Sequence, residues 1–183
     1  MAELKLVNGR PEQDGDRLEK EIRTYDFLDE LGIEYQRVDH RALMTMEDAM
    51  EADEVLGATI CKNLFLCNQQ KTSFYLLMLP GEKRFQTKVV SKKLGVSRLS
   101  FAGETYMEQL LNLTPGSVSV MGLLNDTKNR VQLVIDKEIL TGEYIGCHPC
   151  INTASIRFRT KDLMEKILPA MHHEPIVIEW TEE

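Results

Sequence analysis

The chain has 183 residues, 43% of them hydrophobic and 28% charged, a balance that supports a packed core and excludes disordered and fibrous classes. Its 22 Lys and Arg against 29 Asp and Glu leave a net charge of −7, which argues against indiscriminate coating of a polyanion such as duplex DNA. The longest apolar run, Phe74 to Pro80, is far short of the roughly 20 residues that cross a bilayer, and the opening MAELKLVNGRPEQDGD has no signal-like apolar block. No membrane partner and a cytoplasmic location are expected.

In chain order, residues 1–15 read as a flexible N-terminal segment. Asp16 with Glu19 then resembles a capping pair, and Leu18, Ile22, Tyr25, Leu28 and Leu31 recur at helical spacing up to Gly32. IEYQRV alternates as a strand, and Thr45 with Asp48 offers an N-cap for a short acidic helix running toward Leu56. TICKNLFLC and FYLLMLPG, separated by the turn-like NQQKTS, predict a central hairpin. TKVVSKKL predicts a helix stopped by Gly95, SRLSFA a brief extended piece, and ETYMEQLLNL a helix before Thr114, Pro115 and Gly116.

In the last third, SVSVMGLL and RVQLVID read as extended runs joined by NDTKN, a second hairpin. Tyr144 and Ile145 lead into a Gly-Cys-His-Pro loop, INTASIRF extends again, Thr160 starts a helix ending before Pro169, and IVIEW closes the chain as a strand. With no repeat and no long linker, the expected class is α+β: one domain over 1–183, with a single mixed, mostly antiparallel twisted sheet or partial barrel flanked by helices.

Among residues able to carry chemistry, Lys62 lies in a stretch that otherwise favours burial, between Ile60 and Leu64, Phe65 and Leu66, with Asn63 beside it. A compact ammonium on a sheet, where water is partly excluded, can grip a phosphate or polarise an ester; the plainer alternative is a lysine reaching solvent along its stem. His148 sits in a loop between Gly146 and Pro149, whose backbone constraints can bring main-chain groups near a ligand while the imidazole donates or accepts a proton near neutral pH. His172 and His173 are adequately explained by a helix terminus, and His40 has no partner visible in the sequence. Asn125, Asp126 and Thr127, with Asp136, read equally as an acid cluster or as turn chemistry.

Cys147 and Cys150 form a CxxC, the look of a thiol pair or half a zinc site, but Cys61 and Cys67 are too far apart to supply the other half, and a strand rather than a helix follows Cys150. Small buried residues are the favoured reading, and no metal or cofactor is expected. The chain contains no G-x-S-x-G elbow and no glycine-rich phosphate loop, which removes most support for covalent hydrolases and nucleotide-driven enzymes. Between Gly81 and Arg98, Lys83, Arg84, Lys88, Lys92, Lys93 and Arg98 face only Glu82, so one face is either basic or simply a solvated helix.

Four ordered blocks together resemble one family: K-N-L-F-L at Lys62 to Leu66, F-Y-L-L-M-L-P-G-E-K-R at Phe74 to Arg84, P-G-S-V with G-L-L-N-D-T between Pro115 and Thr127, and H-P-C-I-N-T-A at His148 to Ala154. The chain is similar, from about Arg17 to Trp180, to the stand-alone prolyl-tRNA editing proteins, trans-acting aminoacyl-tRNA deacylases related to the editing domain of some bacterial prolyl-tRNA synthetases. The resemblance implies hydrolysis of misacylated tRNA(Pro), alanine being the expected amino acid, with tRNA as partner through its acceptor end and prolyl-tRNA synthetase as a further candidate partner. It implies that Lys62 is the central functional residue with Asn63 beside it, that His148, Gly146 and Pro149 form a loop lining the same pocket, that Thr45 matches a family threonine, and that Leu43 faces the amino-acid side chain. The basic segment, Lys83, Arg84, Lys88, Lys92 and Lys93, is the candidate tRNA contact. His40-Arg41-Ala42 and Val120-Met121 depart from the family's proline-containing pattern. A non-catalytic sensor of amino acid or aminoacyl-tRNA on the same fold, and a thiol or zinc protein built on Cys147 and Cys150, are the competing readings.

Overall fold

The computed structural model describes residues 3–58 and 60–179, and Trp180 of the expected closing strand lies outside them. The α+β class holds, but the strands divide into two sheets, not closed into a barrel, where the sequence suggests one. The first sheet has the order β1 (Leu6–Asn8), β2 (Tyr35–Asp39), β8 (Ala154–Arg159), β7 (Tyr144–Cys147), all antiparallel. The second has the order β5 (Ser100–Phe101), β3 (Lys62–Cys67), β4 (Phe74–Leu79), β6 (Val131–Asp136), β9 (Ile176–Ile178). In it β5, β3 and β4 are antiparallel neighbours, whereas β4, β6 and β9 run parallel.

The helices are α1 (Glu19–Glu30), α2 (Met46–Leu56), α3 (Thr87–Leu94), α4 (Glu104–Leu111), α5 (Thr160–Asp162) and α6 (Leu168–Ala170), the last two joined by a π-turn at Leu163–Ile167. α2 begins with the predicted capping box, the Thr45 hydroxyl accepting from the Asp48 N–H while the Asp48 carboxylate accepts from the Thr45 N–H. α3 ends where expected, at Gly95 with φ 66°, a left-handed conformation that costs glycine nothing. The Asp16–Glu19 pair does not cap α1: the N-cap is Leu18, without a side-chain bond, and Arg17 is instead committed to Glu21 and Asp39. Within the segment read as a flexible leader, residues 6–8 are paired to β2 and Arg10 is bound to Asp26 and Asp14.

The second predicted hairpin is absent. Val120–Asn125 forms a 3-10 turn, started by the Ser119 hydroxyl accepting from the Met121 N–H, and β6 pairs in parallel with β4. Val120, Met121, Gly122 and Leu123 are all buried, and a short apolar run buried on every side carries no periodicity to tell strand from helix.

β4 separates two cores. Phe74, Leu76 and Met78 join the large cluster that also holds Tyr25, Phe65, Ile145, Ile156 and Phe158, while Leu77 and Leu79 join Leu66, Val90, Leu99, Val134 and Ile178 beneath α3. Burial on both faces explains why FYLLML is uninterrupted rather than alternating. Besides packing through the large cluster, the two sheets are linked by a parallel bridge, Ile60 to Gly146, where the Cys61 N–H donates to the Gly146 carbonyl at 3.4 Å. That bridge sets the residue stretch leading into β3 against the end of β7, with Lys62 and His148 each two positions beyond the bridged pair.

Candidate active site

Lys62 is the first residue of β3, opposite Leu79, and alternation places it on the face shared by Leu64 and Leu66. It is half-buried, and its Nζ donates to the Lys83 carbonyl at 2.9 Å. Lys83 closes the turn that follows β4, its N–H bonded to the Pro80 carbonyl. Its own ammonium lies 2.8 Å from Asp136 Oδ2 and 2.9 Å from Glu138 Oε2, with side-chain exposures of 10% for Lys83 and 1% for Asp136. Burial pulls the Lys83 ammonium down, but the hydrogen bonds and charges of these two carboxylates outweigh it and hold the pKa above its ordinary value. Asp136 also accepts from the Glu138 N–H, which starts a 3-10 turn over Lys137–Thr141.

A cleft of about 800 Å³ opens beside this corner, lined among others by Cys61, Gly81, Lys83, Glu138, Tyr144 and Ile145. The chain neighbour of Lys62 and its hydrogen-bond acceptor therefore both form the wall. Asn63 points to the opposite face of β3. Its Nδ2 donates to the Cys61 carbonyl at 2.8 Å, and its Oδ1 is buried with no hydrogen-bond partner among the described residues. An acceptor held out of water without a donor is costly unless a ligand or water completes it.

His148 lies in the loop between β7 and β8. Its Nδ1 is 3.0 Å from the Ala154 carbonyl, and because a carbonyl can only accept, Nδ1 carries the proton and Nε2 presents a lone pair. The ring meets His40 edge to face, centroids 6.2 Å apart. His40 is fixed in the same way: Nδ1 donates to the Arg41 carbonyl at 2.7 Å and Nε2 accepts from the Ser155 hydroxyl at 2.8 Å. Burial pushes both imidazoles below the ordinary 6.5, and each does so against a hydrogen bond that raises it; for His148 the neighbouring His40 lowers it further.

The other expected site residues hold these loops in place. Leu43 and Asn152 exchange main-chain and side-chain hydrogen bonds, both at 3.4 Å, clasping the loop before α2 to the loop after His148. Thr45 spends its hydroxyl on the α2 cap. Gly146 makes the bridge to β3, and Pro149 is buried in the loop, followed by Cys150 at φ 64°. A second recess of about 410 Å³ is bordered by Asp39, His40, Arg41, Leu43, Asp48 and Glu51. The structure thus gathers Lys62 with Lys83, and His148 with His40 and Leu43, as two adjacent groups rather than one lined pocket.

Of the basic segment, Arg84, Lys88, Lys92 and Lys93 are exposed, the last three on α3 around a buried face of Val90 and Ser91. Lys83 is the exception. Its ammonium is inside an ion-pair cluster, so it does not stand on the surface as a phosphate contact. Cys147 and Cys150 are buried free thiols; burial pushes Cys150 up to about 11 and Cys147 higher, away from the thiolate form that redox and metal chemistry need. His173, assigned from sequence to a helix end, is buried with its Nε2 2.9 Å from Asp126, whose carboxylate also accepts the Arg130 and Val131 N–H groups. Sequence reasoning misses His40, Asn152 and Asp136 as organisers; nothing local in the chain announces a partner 115 residues away, as with His40 and Ser155.

Two β-sheets joined beside a lysine-bordered cleft define an α+β class, and no helix among the described residues is long and apolar enough to cross a membrane. Residues 40–166 match the aminoacyl-tRNA editing domain, and the chain belongs to that family. It is 35% identical over 143 residues, 78% of this chain and 87% of the relative, to the prolyl-tRNA editing protein ProX of Acetoanaerobium sticklandii. It is 29% identical to the prolyl-tRNA synthetase associated domain-containing protein 1 of Danio rerio, covering 88% of this chain and 86% of that protein. A solved structure offered as a trans-editing enzyme for prolyl tRNA synthetase shares the fold with a TM-score of 0.67 at 18% identity, over 91% of this chain and 99% of the other.

Proposed function

We propose that this protein is an ester hydrolase that deacylates misacylated tRNA(Pro), with alanine as the amino acid released. The observation that carries the reading is the half-buried Lys62, whose Nζ donates at 2.9 Å to the carbonyl of Lys83, a residue that lines the cleft of about 800 Å³. Family membership and the names of the relatives support the reaction class.

In this reading the terminal adenosine and its ester enter the cleft, and Lys62 stabilises the negative charge that develops on the carbonyl oxygen as water attacks. A fixed cation in a partly water-excluded wall does this without reorganising. The proton leaving the water passes to the His148 Nε2 lone pair, or is relayed as the neighbouring ribose hydroxyl accepts it and gives up its own, and it is returned to the ribose oxygen as the C–O bond of the ester breaks, leaving the free amino acid and the tRNA alcohol. Leu43, Thr45, Gly146 and Pro149 shape and hold the two loops around the amino-acid end. The exposed cations Arg84, Lys88, Lys92 and Lys93 suit the acceptor-stem phosphates, and prolyl-tRNA synthetase is the partner from which a misacylated product would come.

Selection against proline rests on shape. A missing methylene is worth only about 1–3 kcal/mol by contact, so a small side chain is more readily chosen by excluding a ring than by gripping a methyl group.

The test is a panel of tRNA(Pro) charged with alanine, cysteine, serine or proline. Release of alanine with Pro-tRNA(Pro) left intact is the expected result. Binding of the charged tRNA with no ester hydrolysed above the uncatalysed rate would contradict the reading and make the protein a sensor.

A further inference from the structure

We propose that Lys83 is a positioning residue for Lys62: its ammonium neutralises Asp136 and Glu138, and its carbonyl holds the Lys62 ammonium at the turn that lines the cleft. This rests on the reading of Lys62 given above and reassigns Lys83 from tRNA contact to part of the reaction's support.

Three observations carry it. The β3–β4 register sets Lys62 opposite Leu79, directly before the Pro80–Lys83 turn, so the lysine's reach ends on that turn, at the Lys83 carbonyl 2.9 Å away. The same residue's side chain runs to Asp136 and Glu138, at 2.8 and 2.9 Å, tying the turn to the end of β6. Asp136 cannot swing away, because it is almost fully buried, its other oxygen accepts the Glu138 N–H, and its strand is paired to β4 through Met78 and Ile135. The turn carbonyl is therefore fixed by a chain of contacts that ends in the sheet.

Charge gives the arrangement its second purpose. Asp136 and Glu138 are two carboxylates at the corner where Lys62 must keep its ammonium available to substrate. With Lys83 between them and Lys62, their field is met by the Lys83 ammonium. Without it, a buried carboxylate lacking a cation is costly, and the Lys62 ammonium, bonded to the same turn, is drawn to it. Lys62 would then be paired and turned from the cleft. A surface role in tRNA binding predicts a different failure: weaker association and a smaller salt dependence, with the chemical step intact.

The experiment compares wild type, Lys83→Met, Lys83→Arg and the charge-relieved Lys83→Met/Asp136→Asn/Glu138→Gln variant in single-turnover deacylation of Ala-tRNA(Pro), with tRNA affinity measured at several salt concentrations. Lys83→Met is expected to lower the saturating rate by about 10-fold or more, the scale of misaiming one electrostatic contact, with affinity and salt slope unchanged. Lys83→Arg should stay within about 3-fold of wild type because the cation remains, and the charge-relieved variant should recover part of the loss and supply the readout if Lys83→Met does not fold. A parallel measurement, the rate at which Lys62 is acetylated by acetic anhydride as read by mass spectrometry, should fall several-fold in Lys83→Met as Lys62 becomes paired. An unchanged saturating rate with weakened, less salt-sensitive binding would overturn the proposal, and so would unchanged Lys62 reactivity. If wild type releases no alanine, the functional reading fails by itself, while the acetylation result still decides whether Lys83 positions Lys62.

Discussion

The two loop clusters that meet across the Ile60–Gly146 bridge are built on opposite electrostatic plans. At the β3 corner, charge is abundant and tied down: Lys62 on the Lys83 carbonyl, Lys83 on Asp136 and Glu138, all beside an open cleft. At the β7–β8 loop, charge is suppressed: His148 and His40 are packed edge to face, each with its Nδ1 proton given to a carbonyl and each pushed toward neutrality by burial. The first region can hold a negative oxygen in place, and the second can take a proton without first having to lose one. An uncatalysed ester hydrolysis lacks both conveniences, and the two regions lie on different sheets that are bridged at Ile60 and Gly146.

The comparison breaks most visibly at Asp136. Asp136→Ala leaves Lys83 and the 3-10 turn at Lys137–Thr141 without their anchor and is expected to cost about 3–5 kcal/mol, the usual penalty for removing one partner of a buried ion pair; urea unfolding measures it. At the imidazole end, His148→Ala should lower the deacylation rate by about 100-fold if its Nε2 takes the proton, the lower end of general-base effects, and by far less if the ribose hydroxyl does.

Acidity sharpens the same contrast. Because the folded imidazoles of His40 and His148 titrate below their ordinary 6.5, the unfolded chain binds protons first on acidification. Their contribution to stability is therefore fully present above pH 6.5 and is lost as the pH falls through the folded values. Unfolding free energy measured from pH 8 to pH 5 should be flat and then decline, with a shallower decline in the His40→Asn variant. A smaller effect comes from the loop that joins the regions: Thr45→Ala removes the α2 capping box and should lower Tm by about 2–4 °C, as a cap is worth about 1 kcal/mol in a chain of this size. Smallest per residue, replacing Lys88, Lys92 or Lys93 by alanine should reduce the slope of log affinity for tRNA against log salt by about 0.7–0.9 for each phosphate that is no longer neutralised.

Much of the charged corner is legible in the chain. A lysine at the head of KNLFLC stands out in a stretch that otherwise favours burial, although a lysine reaching solvent reads the same way; the FYLLMLPG strand announces its own turn, and TKVVSKKLG states where α3 stops. The sheet division is not legible, because it depends on β6 choosing a parallel partner, a choice that hydrophobic runs buried on both faces leave open. The 3-10 turn at Val120–Asn125 is hidden for the same reason. Lys83 looks like its neighbours on a basic stretch, since sequence counts charges but cannot see that Asp136 lies 53 residues on and directly beneath it. The imidazole pair is half visible: the Gly-Cys-His-Pro loop marks His148, while His40 gives no sign of its partner.

The most direct test of the account is single-turnover deacylation of Ala-tRNA(Pro) by wild type and Lys62→Ala, with tRNA affinity measured on the same samples. A fixed cation acting on the developing oxyanion predicts a saturating rate lower by about 10²–10³-fold with little change in affinity. A saturating rate that survives the substitution, with affinity alone reduced, would contradict it.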